Sequence, residues 1–185
     1  MIAQLNALRT RECPSHTAAG VSFAETFWAL QEQTGQLVPP RKALTLSMAR
    51  PFAAYMSILE IAGPRSAIFR IMGTGHVDRT RVENTGKNWF DLAEPESHEA
   101  HAKHFRRILT TPCGCLAQYK EKYDKLLVIE AINFPFADNE GRARFIVSTN
   151  VELSIDELLT RGEASMVPGE FDRGTYIDIG AGTGE

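Results

Sequence analysis

The chain has 185 residues, 43% of them hydrophobic, and a formal net charge of -3. That is enough apolar material for one packed core and too much for a disordered chain. The slightly acidic balance and the lack of an apolar run near the roughly 18 residues of a membrane span predict neither a nucleic-acid nor a membrane partner.

Residues 1–11 lack the hydrophobic stretch of a secretion signal, and the three cysteines are an odd number, so a reducing, cytoplasmic setting is predicted. Residues 1–21 read as an N-terminal arm, with a weak helical pattern in Ile2, Leu5 and Leu8. Ser22 and Glu25 then have the spacing of a capping box, which predicts a helix starting there. Phe23, Phe27, Trp28 and Leu30 form its apolar face, and Gly35 its stop. An apolar helix beyond a complete domain either packs on its own sheet or pairs with a second copy; these four residues are the candidate homodimer interface.

Pro39-Pro40 opens a connector to Pro51. Tyr55–Ile61 and Ala67–Met72 flank the turn signal Gly63-Pro64-Arg65-Ser66 and read as a β-hairpin. The polar stretch from His76 to Leu92 fits short helices and loops. A longer helix follows from Ser97 to Thr110, with Ala102, Phe105, Ile108 and Leu109 as its apolar stripe. Three strands come next: Cys115–Tyr123, Leu126–Phe136 and Arg142–Leu153, the last two joined by Asp138-Asn139-Glu140-Gly141. A short helix is predicted at Ile155–Leu159.

Two ribbons on either side of a helical block bury their apolar faces best by joining. The predicted fold is α+β: a five-stranded antiparallel sheet with helices on one face and an extra N-terminal helix. The domain spans residues 22–160, and residues 161–185, polar and rich in glycine, form a flexible tail.

The order of elements resembles that of PAS domains. The motifs resemble a bacterial family of single-domain PAS-like proteins from alphaproteobacteria, long labelled a domain of unknown function. The residues that carry the resemblance are Phe27-Trp28, Pro40-Arg41, the run from Phe69 to Gly75, Thr85-Gly86-Lys87-Asn88-Trp89-Phe90-Asp91-Leu92, and Asn133-Phe134-Pro135-Phe136. The resemblance covers about Phe23 to Leu153. It implies a sensory, ligand-binding and protein-interaction module that signals through a protein partner, and it names no ligand.

A pocket between sheet and helices is predicted, lined by Ile58, Phe69, Ile71, Trp89, Phe90, His98, Phe105, Ile129 and Phe145. His98, His101 and His104 share the helix before the third strand. His98 falls near the centre of its apolar stripe, His101 at the edge, and His104 points away. His98 and His101 are the candidate metal ligands, since residues three apart on a helix share a face. In haem-binding PAS domains the iron ligand is a helix histidine facing the sheet, so the resemblance makes haem the alternative cofactor.

Other candidates have structural readings. Cys113 and Cys115 share a strand face and read as packed thiols. Arg70 needs a partner if it points inward, and Glu130 is the carboxylate proposed for it. No Gly-x-Ser-x-Gly elbow or other nucleophile set is present, so no catalytic residue is assigned; a small enzyme using the same pocket is the alternative. Tyr176-Ile177-Asp178-Ile179-Gly180-Ala181-Gly182-Thr183-Gly184-Glu185 resembles the first motif of S-adenosylmethionine-dependent methyltransferases, but the alternating strands and helices that motif requires are missing before it. It is read as part of the tail.

Overall fold

The computed structural model describes residues 13–122, 126–153 and 175–183. The helix predicted at Ile155–Leu159 and most of the N-terminal arm lie outside these residues.

Both predicted hairpins form. β1 (Met56–Gly63) pairs with β2 (Ser66–Met72), and β4 (Leu126–Ala137) with β5 (Ala143–Glu152). In the β4–β5 turn, Asp138 Oδ1 accepts from the amides of Glu140 (2.9 Å) and Arg142 (3.0 Å), and Gly141 has a φ of 81°, which a side chain would strain. β3 (Cys113–Lys122) lies along β4, and β1 pairs with β5, so the two ribbons share one antiparallel sheet.

The sheet has six strands, in the order β2-β1-β5-β4-β3-β6, rather than five. The added strand, β6 (Thr175–Asp178), comes from the segment predicted as tail and pairs antiparallel with β3. The methyltransferase-like run therefore starts as an edge strand. Asp178 Oδ1 then accepts from the amides of Gly180 (2.7 Å) and Gly182 (2.9 Å) and closes a turn.

The N-terminal helix, α1 (Ala18–Thr34), starts before the Ser22–Glu25 pair. Its cap is Thr17, whose Oγ1 accepts from the Gly20 amide at 3.1 Å, and Gly35 ends it with a φ of 65°. Beside this cap stands Glu130 of β4, 1% exposed. Its carboxylate accepts from Ser15 Oγ (2.6 Å), Thr17 Oγ1 (3.2 Å) and the amides of His16 (3.1 Å) and Thr17 (3.3 Å). A buried carboxylate thus meets the helix end whose N–H groups lack partners, and the chain entering α1 is tied to the sheet.

Helix α1 covers one face of the sheet. Phe27 stacks on Phe134 with ring centroids 4.2 Å apart, and Phe23 meets Phe52 (5.1 Å) and Phe134 (5.4 Å). Gly114 on β3 leaves room for that ring, because a Cβ there would lie 2.5 Å from Phe134. Phe23, Phe27 and Leu30 are fully buried in this layer and Trp28 packs at its margin. Of the four candidate interface residues, Phe23, Phe27 and Leu30 are thus occupied within the chain, and Trp28 is half-buried. The apolar side chains Ile58, Ile132, Phe134, Phe136 and Val147 of the sheet need a cover, and α1 supplies it.

The short helix α2 (Leu46–Ala49) belongs to the connector before β1. The opposite face of the sheet carries the roof: α3 (Thr74–Thr80), 3-10 turns at Trp89–Asp91 and Pro95–Ser97, and α4 (His98–Thr110). Gly73 allows α3 to start hard against the preceding chain, since a Cβ there would lie 2.4 Å from the Ala54 carbonyl oxygen. The Thr85–Asn88 segment closes the β2 edge. Phe69 N donates to Lys87 O (3.0 Å), Gly86 N to Phe69 O (2.7 Å), and Ala67 N to Asn88 Oδ1 (2.9 Å). Among the described residues, no helix is long and apolar enough to cross a membrane.

Candidate functional site

Between the sheet and its roof lies a cavity of about 530 Å³. Strand alternation decides its chemistry. On β1, β4 and β5 most of the large apolar side chains turn toward α1, with Leu59 and Ile146 as exceptions on the roof side, so the residues between them face the cavity. Ser57 on β1, Asn133 on β4, and Ser148 and Asn150 on β5, with the small Ala131 among them, make a largely polar floor of small side chains. Leu59, Phe69 and Met72 add an apolar flank, and Trp89, His101, His104 and Phe105 come from the roof.

The floor is a hydrogen-bonded network. Ser148 Oγ donates to Asn133 Oδ1 (2.5 Å), and Asn133 Nδ2 donates to the Cys115 carbonyl (3.2 Å). The carbonyl accepts only, so it sets which end of that amide is nitrogen. Tyr119 OH donates to Asn150 Oδ1 (3.0 Å), and Asn150 Nδ2 contacts Ser57 Oγ at 3.5 Å. At one end Arg79 Nη1 donates to Asn150 O (3.3 Å) and its Nη2 to His76 Nδ1 (3.4 Å). Because arginine only donates, His76 Nδ1 is the acceptor and Nε2 carries the hydrogen, which goes to Tyr55 O at 2.9 Å.

The histidines take separate roles. His98 Nε2 holds Ala93 O (3.0 Å), and its ring stands edge-on to Phe90. His101 holds Ser97 O through Nδ1 (2.9 Å), with its ring 4.2 Å from that of Trp89; burial, followed by the neighbouring His98, keeps its pKa low even though the Ser97 carbonyl favours a proton. His104 does not point away from the core. It is 7% exposed, lines the cavity, and its Nδ1 shares a 3.0 Å hydrogen bond with the Tyr176 hydroxyl of β6. Burial first, then His101 and Arg107, bring its pKa down to about 4.

Of the nine residues predicted to line the pocket, Phe69, Trp89 and Phe105 do so. Phe90 and His98 stand one layer back, packed edge-on against Trp89 and against Phe90 respectively. Ile129 is buried outside the lining, and Ile71 is 38% exposed. Ile58 and Phe145 belong to the opposite face, in the layer under α1. Apolar character alone was a poor guide, because the most apolar face of this sheet is the one under the helix. The alternation of Ser148 and Asn150 with Val147 and Val151 was the available signal for the floor.

Among the described residues, no group of three His, Cys, Asp or Glu side chains is placed to hold a metal ion. A haem group also fits poorly: of its two candidate ligands His98 is outside the lining and hydrogen-bonded, His101 lines the cavity with Nδ1 on Ser97 O, and the floor opposite the roof is polar where a porphyrin face needs apolar walls. Arg70 is half exposed and pairs with Glu60, which also holds Arg144 at 2.6 Å; Glu130 serves α1 instead. Cys113 and Cys115 are fully buried against the roof, and burial pushes the Cys115 thiol up to about 12.

Two strands, a helical roof and three further strands close into a sheet whose first five members run 2-1-5-4-3. The fold is PAS-like. Solved structures with a similar PAS-like fold include a variant of the LOV protein RsLOV (10% identity, TM-score 0.45, over 58% of this chain and 66% of that one) and the PAS domain of Bordetella pertussis BvgS (14%, 0.39, over 60% and 83%). Vibrio cholerae VqmA is also similar (16%, 0.43, over 60% and 52%). The PAS-like region spans just under two thirds of the RsLOV chain and about half of VqmA. No family model matches the chain, and no curated protein matches it.

Proposed function

We propose that this PAS-like domain is a cytoplasmic sensory module without catalytic activity of its own, which takes a small molecule into the cavity between sheet and roof and passes the change to a protein partner. The observation that carries this reading is the cavity's floor: small, buried, hydrogen-bonding side chains on the central strands, under a roof that leaves about 530 Å³ open. A sheet that needed only a core would place large apolar residues at Ser57, Ala131, Ser148 and Asn150.

The route outward runs through His104. It touches the cavity and Tyr176 alike, and Tyr176 lies in β6 with the Arg107 guanidinium 3.8 Å above its ring. The same segment continues to Ile179, which is fully buried beneath α1 and accepts from Gln31 Nε2 at 3.2 Å. An occupant that moves His104 therefore acts on β6 and, through it, on α1, elements that a partner can read.

Thermal unfolding against a library of small molecules tests this, using wild type and Ala131→Phe, which fills the floor. The reading predicts compounds that raise the Tm of wild type and leave the filled variant unchanged. Equal shifts in both proteins, or none in wild type, contradict it.

A further inference from the structure

The chemistry of the floor narrows the class of molecule, on the reading that the cavity is a binding site. Both asparagine side-chain oxygens already accept a hydroxyl, Asn133 from Ser148 and Asn150 from Tyr119. Each of these oxygens keeps a second lone pair, and beside them the floor holds donors whose hydrogens are unspent. Asn133 Nδ2 uses one hydrogen, on Cys115 O, and keeps the second. Asn150 Nδ2 makes one long contact, at 3.5 Å. Among the described residues, the Ser57 hydroxyl, 5% exposed, has no acceptor and Trp89 Nε1 has no hydrogen-bond partner. Among the described residues no carboxylate lines the cavity, while Arg79 does. Leu59, Phe69 and Phe105 stand on the apolar side.

We infer that the cavity selects a small ring compound, uncharged or anionic, with acceptor atoms along one edge and an apolar opposite side. Water satisfies the unspent donors while the cavity is open. A molecule that displaces this water without offering acceptors strands them, and a cation in addition meets a site that has no anion to pair with it. The acceptor edge lies along Ser57, Asn133 and Asn150, and the ring body lies between Phe69 and Phe105.

Three probes of similar size separate the alternatives: coumarin, with two acceptor oxygens on one edge; 2-aminoindane, with a cation; and indane, with no polar atom. Titration is followed by NMR through the side-chain amide signals of Asn133 and Asn150 in the isotope-labelled full chain. Coumarin shifts both signals, and 2-aminoindane and indane bind at least tenfold more weakly. Ser57→Ala weakens coumarin severalfold and leaves indane unchanged, with its fold checked by circular dichroism. Asn133→Asp, which exchanges a donor for a carboxylate, reverses the preference between coumarin and 2-aminoindane. If 2-aminoindane or indane binds wild type as tightly as coumarin, or Ser57→Ala leaves coumarin unaffected, the ligand class is wrong while the cavity stands as a site. If none of the three shifts the amide signals, the inference and the binding reading fall together.

Discussion

His104 sits where a charge has nowhere to go. Arg107 and His101 face it from its own helix, Tyr176 from β6, and burial removes the water that would solvate a proton. Its folded pKa, about 4, lies below the ordinary histidine value of 6.5, so between those values the unfolded chain binds the proton and the folded chain refuses it. The stability this contributes is complete above pH 6.5 and is lost as pH falls toward 4. From pH 7 to pH 5 the loss is about 2 kcal/mol. Urea unfolding of wild type and His104→Gln at the two pH values checks this: wild type loses about 2 kcal/mol more than the variant, and parallel losses count against it. Helical phase alone placed His104 outward, since Ala102, Phe105 and Leu109 define the apolar stripe of α4. The residue that buries it, Tyr176, is more than seventy positions away in a segment with only a weak strand signal. Glu130 is similar: its position on β4 was legible, but not its partners, Ser15 and Thr17, which precede the helix by an unremarkable polar turn.

At the scale of elements, β1 to β5 and α4 were readable because each carries an apolar run or a periodic pattern next to a turn signal. Which face of β1 and β5 met which layer was not. Alternation tells that Phe145 and Val147 are apart from Ser148 and Asn150, and it is silent on whether α1 or the roof covers the apolar side. The start of α1 was misplaced because Ser22 and Glu25 match a capping box by spacing alone, whereas Thr17 has the cap geometry. β6 was missed because four residues before a glycine-rich turn make a weak strand; its partner is the β3 edge, and its anchors are side chains on two helices. This predicts that Tyr176→Phe, which keeps the ring under Arg107 and removes the hydroxyl, loosens β6 selectively. Hydrogen exchange at residues 175–178 rises severalfold while β4 and β5 keep their protection. Unchanged exchange at β6 contradicts the proposed link to His104.

For the whole molecule, one sheet serves two purposes because its faces differ. The face under α1 is a close-packed aromatic layer that holds the chain together, with Phe27 on Phe134 at its centre. The face under the roof keeps small polar residues, and the space they leave is the candidate site. The α+β architecture was legible, since two ribbons and a helical block have few ways to bury their apolar sides. The polar floor was not, because the sequence signal for a pocket is its apolar positions, and this floor carries few of them. The most direct test of the account is native mass spectrometry of the purified chain beside Ala131→Phe. The account predicts a small-molecule adduct on wild type that is released on denaturation and absent from the filled variant. Bare chains of wild type, or an adduct retained by Ala131→Phe, would contradict it.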